Sequence, residues 1–300
     1  MWTYNHTKLV KTNILFIINP ISGGKQKLKI PALIDSCLDK DKFNANFSFT
    51  EYIGHAAEIA EEAANKNFDV IVAVGGDGTI NEIAPIVMRL NKILGIVPFG
   101  SGNGLARFLK IPMDTKKAIQ VINQLKTQVI DGAKLNDRNF FNMAGMGFDA
   151  HISTVFASNK GRGLKGYIEM FLKEMNSYEP QTYLIEVDGK KYTKEAYVIS
   201  IANSSQYGNN VHISPKSSLT DGLLDLCIVK PFSLFKLPVL AYQMLRKTTD
   251  QHDMVEIIRG KNIKITREKE DSIHLDGEPF FMGKQIEIDV IPLALQIITK

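Results

Sequence analysis

At residues 70–81 the chain carries VIVAVGGDGTIN, a strand signal followed by a glycine turn and the start of a helix. The first five residues are apolar and mostly β-branched, which is typical of a buried strand in a parallel sheet. The paired glycines allow a sharp turn and leave no β carbon to hold a ligand away. Free N–H groups at a helix start favour phosphate, so we predict a nucleotide-phosphate loop. Its positions are Gly75, Gly76, Asp77, Gly78, Thr79 and Asn81.

Asp77 needs a separate explanation, because a carboxylate in such a loop repels a bare phosphate. Its presence indicates that a metal ion or a hydroxyl group is also handled there. The alternative for the whole stretch is a tight turn between a strand and a helix that binds nothing.

Two further strand signals, at 14–18 and 93–97, end in similar turns. Each strand is followed by a helix-like segment, which predicts a parallel sheet with right-handed crossovers and ligands beyond the carboxyl ends of its strands. We therefore expect the three turns to share one edge of the sheet. Lys25 either reaches a phosphate or is simply solvated. The other turn residues of interest are Asn19, Pro20, Ile21, Ser22, Gly23, Ser101 and Asn103.

Composition and charge exclude several classes of protein. The chain has 300 residues, 44% hydrophobic and 23% charged, which is typical of a folded globular protein. Its two cysteines lie far apart in sequence, so we expect no disulfide framework and a cytoplasmic location. The net charge of +4 is too small to favour nucleic acid as a partner. The six histidines show no metal-ligand spacing, and each is more typical of a surface or hydrogen-bonded residue than of a catalyst.

The predicted secondary structure changes near residue 130. Strand-like pieces then follow one another with few helices, which predicts an antiparallel, β-rich second domain, a sandwich or an open barrel. Asp188-Gly189 is a hairpin signal between two such pieces, and 191–202 has the pattern of one long strand. A stretch at 156–171 mixes basic and apolar residues, which predicts either contact with an anionic membrane or a helix packed on the sheet.

Two acidic turns belong to this second half. Asp221-Gly222-Leu223 favours either a bound cation or an ordinary turn capped by its aspartate. The later turn carries Asp276 and Glu278 on either side of a glycine, and it is either a solvated hairpin tip or a general base that faces the phosphate loops across a cleft.

Taken together, these motifs resemble the diacylglycerol kinase catalytic-domain family, which includes soluble bacterial lipid kinases and sphingosine kinases. The resemblance spans nearly the whole chain in order. It is carried by Asn19-Pro20-Ile21-Ser22-Gly23, Gly75-Gly76-Asp77-Gly78-Thr79 with Asn81-Glu82, Gly100-Ser101-Gly102-Asn103, Asp221-Gly222-Leu223-Leu224-Asp225 and Asp276-Gly277-Glu278.

The resemblance implies an α/β nucleotide domain at 1–130 and a β-sandwich lipid domain at 131–291, with 292–300 returning to pack on the first domain. It implies ATP as co-substrate, Mg²⁺ as cofactor, and a lipid with a free hydroxyl as acceptor. It also implies transient membrane contact, and a homodimer is left open. ATP would contact Thr50 as well as the three turns.

The same resemblance assigns roles to individual acids. A structural Mg²⁺ would lie at Ser218, Asp221 and Leu223, and the base would be Asp276 or Glu278. Asp77 would belong to the catalytic group. Asp131, Lys25 and Glu82 would support the site.

Two positions depart from the family pattern. Many bacterial diacylglycerol kinases have an acid where this chain has Gly104, and the lysine that often follows Ser-Gly is displaced here to Lys25.

Two rival hypotheses stay open. One is a kinase of NAD or of a sugar phosphate that shares the Gly-Gly-Asp-Gly-Thr loop, and the other is a regulator that binds lipid or nucleotide without turnover.

Overall fold

The computed structural model describes residues 11–24, 29–158, 164–175 and 177–300. Lys25 lies outside this part of the chain, as do most side chains of the 156–171 stretch. The helices are α1 (Ile30–Cys37), α2 (His55–Ala63), α3 (Asp77–Arg89), α4 (Gly104–Phe108), α5 (Thr115–Gln124), α6 (Phe148–Ser158), α7 (Leu164–Met175) and α8 (Leu237–Arg246).

The strands carry most of the fold. They are β1 (Thr12–Ile18), β2 (Phe43–Phe49), β3 (Val70–Gly75), β4 (Ile93–Pro98), β5 (Thr127–Leu135), β6 (Arg138–Phe140), β7 (Met143–Gly147), β8 (Gln181–Val187), β9 (Lys190–Ala196), β10 (Val198–Ala202), β11 (Gln206–Gly208), β12 (Val211–His212), β13 (Leu224–Val229), β14 (Val255–Gly260), β15 (Asn262–Arg267), β16 (Asp271–Leu275), β17 (Glu278–Met282) and β18 (Gln285–Ile298).

The first half forms the predicted α/β layer. β1 pairs in parallel with both β2 and β3, and β3 pairs in parallel with β4. All six residues of β3 are buried, as a strand covered on both faces requires. The strands β1, β3 and β4 therefore end at the same edge, and their three turns lie together there.

The second half is the predicted β-sandwich. A six-stranded sheet in the order β14-β13-β10-β7-β16-β17 packs against strands β5, β8, β15 and β18 of the larger sheet. The two inner faces share one apolar cluster, which includes Met146 and Leu226 from one sheet and Ile265 and Ile288 from the other. This arrangement confirms the predicted fold class.

One ten-stranded sheet runs through both halves, because β18 belongs to each. Its first residues pair with β15, while Gln296 and Ile297 pair in parallel with Ile93 and Leu94 of β4. The end of the chain thus packs on the first half, as expected for 292–300. The exact domain boundaries at 130 and 291 stay a prediction.

The 191–202 segment is not one strand, and that expectation was wrong. β9 belongs to the ten-stranded sheet and β10 to the six-stranded sheet, with the chain crossing between them at Tyr197. Tyr197 donates its N–H to the Val229 carbonyl at 2.9 Å and accepts from Phe148 at 2.8 Å. The core-facing positions shift by one residue across this corner, from Ala196 to Ile199. Because residues 196–199 are all apolar, the sequence pattern hides that shift. The Asp188-Gly189 hairpin is confirmed, since β8 pairs with β9 around it and both turn residues have positive φ.

Candidate active site

Asn19 joins the first two turns. Its side-chain oxygen accepts the N–H groups of Ile21 and Ser22 at 3.1 and 3.2 Å, which folds the turn after β1 back on itself. Its side-chain amide donates to Thr79 Oγ1 at 3.0 Å, on α3. Asn19 therefore holds the turn after β1 against the loop after β3. Ile21 is left 77% exposed at the outer rim.

Glycines let the three turns touch one another. A β carbon built on Gly76 would lie 2.9 Å from the α carbon of Gly100, and one on Gly100 would lie 2.6 Å from that of Gly76. Gly23 has φ +64°, and a β carbon there would lie 2.0 Å from the Phe99 carbonyl oxygen. The rim is thus built of backbone in contact with backbone, with no β carbon at these positions to hold a ligand away.

Asn103 closes the third turn. It has φ 53°, in the left-handed region, and its side chain both accepts from the Gly100 N–H at 2.8 Å and donates to the Gly100 carbonyl at 2.7 Å. Arg107 Nε donates to the Gly102 carbonyl at 2.9 Å. The nearby Ser101 is exposed at the tip of this turn.

Asp77 is the buried acid of the rim. Burial raises the pKa of its carboxyl to about 7, and the charge of Asp276 adds to the rise. The N–H groups of Asn103, Gly104 and Leu105 face the carboxylate and oppose that shift. Among the described residues, its Oδ1 atom is buried without a hydrogen-bond partner. A bound cation fits such an oxygen, since it would neutralise the charge that burial disfavours.

Asp276 comes from the other half of the chain and is fully hydrogen-bonded. Its Oδ2 accepts from Asn81 Nδ2 at 2.8 Å and from the Phe141 N–H at 3.0 Å. Its Oδ1 accepts the N–H groups of Asn142 and Met143 at 2.9 and 2.8 Å. Burial raises the pKa of this carboxyl, against the effect of its four donors. The residue sits at φ 49° in a turn that these bonds hold in place.

Glu278 is placed differently, against the phosphate loop. A β carbon built on Gly78 would lie only 2.2 Å from Glu278 Oε1, so the carboxylate fills the space above that glycine. Within the described part of the chain no donor binds this carboxylate. Desolvation by the surrounding protein raises the pKa of Glu278, because it disfavours the charged carboxylate, and the charge of Glu82 raises that pKa further. The acidic turn therefore faces the glycine rim.

Comparison with known proteins agrees with this geometry. A family model described as the diacylglycerol kinase catalytic domain matches residues 13–135. A second model, the YegS C-terminal NAD kinase beta sandwich-like domain, matches residues 142–299. A diacylglycerol kinase of Bacillus subtilis (strain 168) is 32% identical over 271 residues, which cover 87% of this chain and 88% of that relative. The chain belongs to the diacylglycerol kinase family.

Other relatives and a solved structure extend the match. A protein named probable lipid kinase YegS-like from Pectobacterium atrosepticum is 29% identical over 288 residues, 94% of each chain. A crystal structure of a diacylglycerol kinase from Bacillus anthracis has the same fold, with a TM-score of 0.75 at 21% identity over 96% of this chain and 97% of that one. As a member of this family, the present chain is a kinase. No helix in its described residues combines the length and the apolar character that crossing a membrane requires.

Two residues of the predicted site, one supporting and one nucleotide-binding, hold loops in place. Glu82 accepts the N–H groups of Gly54 and Ala56 at 3.1 Å each and so caps the start of α2, close to the buried Thr50 at the end of β2. Asn81, expected at the nucleotide, donates to Asp276 and to the Asn139 carbonyl at 3.3 Å. The described contacts thus give both residues a positioning role.

Asp131 is buried, and its side chain joins two segments of the chain. Its two oxygens accept the N–H groups of Gly222 and Leu293, each at 2.8 Å. Leu293 has φ 48° at a register shift in β18, so this carboxylate ties that irregularity to the turn before β13. The part of Asp131 in a metal network stays a prediction.

Sequence reasoning missed Arg259, which pairs with the acid of the expected metal site. Asp221 accepts the Leu223 N–H at 3.2 Å on one oxygen and the Arg259 guanidinium on the other. Arg259 Nε also donates to the buried Asp225 at 2.8 Å. The nearby Ser218 hydroxyl contacts Thr220, at 3.3 Å to its Oγ1. Because Arg259 already pairs with the Asp221 carboxylate, the side-chain ligand expected beside backbone oxygens of Ser218 and Leu223, these residues do not fit the expected structural Mg²⁺.

Gly104 stands where packing leaves no space for an acid. A β carbon there would lie 2.5 Å from Asn142 Nδ2 and 3.1 Å from the carbonyl oxygens of Gln206 and Tyr207. The surrounding segments therefore favour a glycine at position 104, which accounts for the departure from the family pattern.

A buried His274–Asp149 pair was also not found from sequence. His274 Nε2 lies 2.7 Å from Asp149 Oδ2. Burial lowers the pKa of this imidazole, but the charges of Asp149 and Asp276 outweigh it, so its pKa is raised. The two residues are 125 positions apart, and no local pattern indicates their contact. The pair accords with the expectation of a hydrogen-bonded histidine.

Proposed function

We propose that this kinase transfers the γ-phosphate of ATP to the primary hydroxyl of a lipid such as diacylglycerol. The observation that carries the proposal is the position of Glu278 directly above Gly78 of the phosphate loop. A phosphoryl group seated on the glycine rim would lie beside this carboxylate, which no side chain of the described residues neutralises. The reaction needs chiefly positioning and charge stabilisation, and this arrangement supplies both.

Each group then has a distinct task. The N–H groups at the start of α3 bind the polyphosphate, and Asn19, through its bond to Thr79, holds the turn after β1 against them. Glu278 accepts the proton of the attacking hydroxyl, and its raised pKa makes it a stronger base than an ordinary glutamate. Asp276, with four donors of its own, keeps Glu278 in position.

A divalent cation that binds with ATP would supply charge neutralisation, and Asp77 is the residue that fits it. Its buried Oδ1 without a partner among the described residues is the supporting observation. The names of the relatives support a lipid acceptor. Because such an acceptor is embedded in a bilayer, the working position in this proposal is the cytoplasmic surface of a membrane.

The test is transfer of label from γ-³²P-ATP with Mg²⁺ present. The purified chain is offered vesicles that contain diacylglycerol, sphingosine or ceramide and, in separate reactions, NAD or sugar phosphates. Labelled phosphatidic acid is the expected product. Label in NAD or a sugar phosphate alone would show a different kinase, and tight ATP binding without transfer to any acceptor would show a regulator.

A further inference from the structure

Helix α8 presents an apolar stripe to solvent. The stripe consists of Phe235, Val239, Tyr242 and Leu245, whose exposed fractions are 95%, 45%, 62% and 56%. Their spacing of four, three and three residues places them on one face of the helix and of the turn that leads into it. Exposed large apolar residues in a contiguous row mark an interaction surface.

The charges around the stripe identify its partner. Residues 230–247 contain Lys230, Lys236, Arg246 and Lys247 and no aspartate or glutamate. Lys230 is paired with Glu256 at 3.1 Å, whereas the other three are exposed and flank the two ends of the stripe. An apolar face bordered by cations, with an aromatic hydroxyl among its members, is the pattern of a helix that lies in the interface of an anionic bilayer.

We propose that the α8 stripe is the surface by which this kinase docks on anionic phospholipid membranes. The inference rests on the proposed function, since a diacylglycerol acceptor is embedded in a bilayer. The stripe is a different segment of the chain from the 156–171 stretch of the sequence prediction. The cations that border it are opposite in charge to phosphatidylglycerol or phosphatidylserine headgroups.

The opposite face of α8 connects the stripe to the acidic turn. Leu240 packs in an apolar cluster with Met143, and Met244 lies against the same cluster. The Met143 N–H donates to Asp276 Oδ1 at 2.8 Å. A membrane held by the stripe would therefore be bound through a helix that shares an apolar cluster with the segment positioning the acidic turn.

The decisive experiment is vesicle flotation without ATP and without substrate lipid. The probes are phosphatidylcholine vesicles with and without 30% phosphatidylglycerol, a composition we set to make the surface anionic. Leu245→Ser is matched by Leu184→Ser, because Leu184 on β8 is exposed to the same 56%. We expect Leu245→Ser to weaken binding to anionic vesicles roughly fivefold, from the apolar area that it removes, and Leu184→Ser to leave it unchanged.

Two combined variants sharpen the result. A Phe235→Ser/Tyr242→Ser/Leu245→Ser variant is expected to remain in the bottom fraction of the gradient. A Lys236→Gln/Arg246→Gln variant is expected to lose roughly tenfold or more of its binding to anionic vesicles, with little change on neutral ones. Circular dichroism melting of each variant checks that it is folded.

Several outcomes would overturn the proposal. They are equal binding by the wild type and the folded triple variant, an equal loss in Leu184→Ser, and equal binding to neutral and anionic vesicles. None depends on turnover, so a failed kinase assay leaves this test unaffected. Conversely, a loss of membrane docking should lower phosphorylation of vesicle lipid while sparing a short-chain diacylglycerol dissolved as monomers.

Discussion

The two acids of the 276–278 turn differ in what their carboxylates contact. Asp276 accepts four hydrogen bonds from two separate segments, whereas Glu278 faces Gly78 and accepts none from the described residues. A carboxylate saturated with donors is a structural anchor, since each bond would have to be weakened for it to take a proton. A carboxylate without such donors that lies above a phosphate loop, as that of Glu278 does, is free to react. The pair of candidates from sequence thus separates into an anchor and a base.

Replacing the anchor should mainly affect stability. In Asp276→Asn the new amide nitrogen would confront N–H donors that now have no acceptor. We expect the free energy of unfolding to fall by about 2–4 kcal/mol, measured by urea denaturation. The exposed Asp137→Asn should change it by less than about 0.5 kcal/mol. An unchanged unfolding midpoint for Asp276→Asn would remove the anchor role.

The contact between Gly76 and Gly100 gives a test of the rim. Gly100→Ala would push the third turn away from the phosphate loop, because its β carbon meets backbone. We expect KM for ATP to rise roughly tenfold to a hundredfold. Gly283→Ala is the matched control, since a β carbon there has nothing within 4 Å. Equal KM values for the two variants would contradict a shared rim.

At the scale of elements, Arg259 joins β14 to the turn before β13. Its guanidinium spans Asp221 and the buried Asp225, and Asp225 also accepts the Ser217 hydroxyl at 2.7 Å. An arginine in this position supplies the positive charge that the acidic turn requires. It lies 38 residues from Asp221 in sequence, so the pattern of acids alone favours a metal ion at this turn.

Arg259→Gln should leave the buried Asp225 without its counter-charge. We expect a loss of about 1–3 kcal/mol in the free energy of unfolding, reduced by the partial exposure of the arginine. Lys264→Gln, which removes an exposed pair with Glu287, should cost less than about 0.5 kcal/mol. Adding Mg²⁺ without nucleotide should leave the wild-type melting temperature unchanged, and a rise of several degrees would put a metal at Asp221 after all.

Sequence reasoning succeeded where signals are local and failed where they are not. Each glycine turn follows its own strand, so the parallel edge is visible residue by residue. By contrast, the bond between Asn81 and Asp276 joins positions 195 apart. The core-facing positions shift by one residue at Tyr197, but the shift falls within a continuous apolar run, so 191–202 has the pattern of one strand. Contacts between residues that are distant in sequence form only in the folded chain, so no local sequence pattern predicts them.

At the scale of the whole molecule, β18 makes the two halves one structural unit. It pairs with β15 in the sandwich and with β4 in the parallel layer, and Asn81 and Glu278 connect the halves again at the site. A cleft built in this way keeps a fixed separation between phosphate loop and base.

Unfolding should therefore be cooperative across the chain. We expect one transition in differential scanning calorimetry, with a van't Hoff enthalpy close to the calorimetric one. Two resolved transitions would show that the halves melt independently and that β18 does not couple them.

The most direct measurement compares steady-state phosphorylation of diacylglycerol by Glu278→Gln and by Glu268→Gln, an exposed glutamate used as control. The account predicts that Glu278→Gln lowers kcat by about 10²–10⁴-fold, with KM for ATP and the unfolding midpoint nearly unchanged, while Glu268→Gln keeps wild-type turnover. Full turnover by a folded Glu278→Gln enzyme would contradict the role of the carboxylate above Gly78.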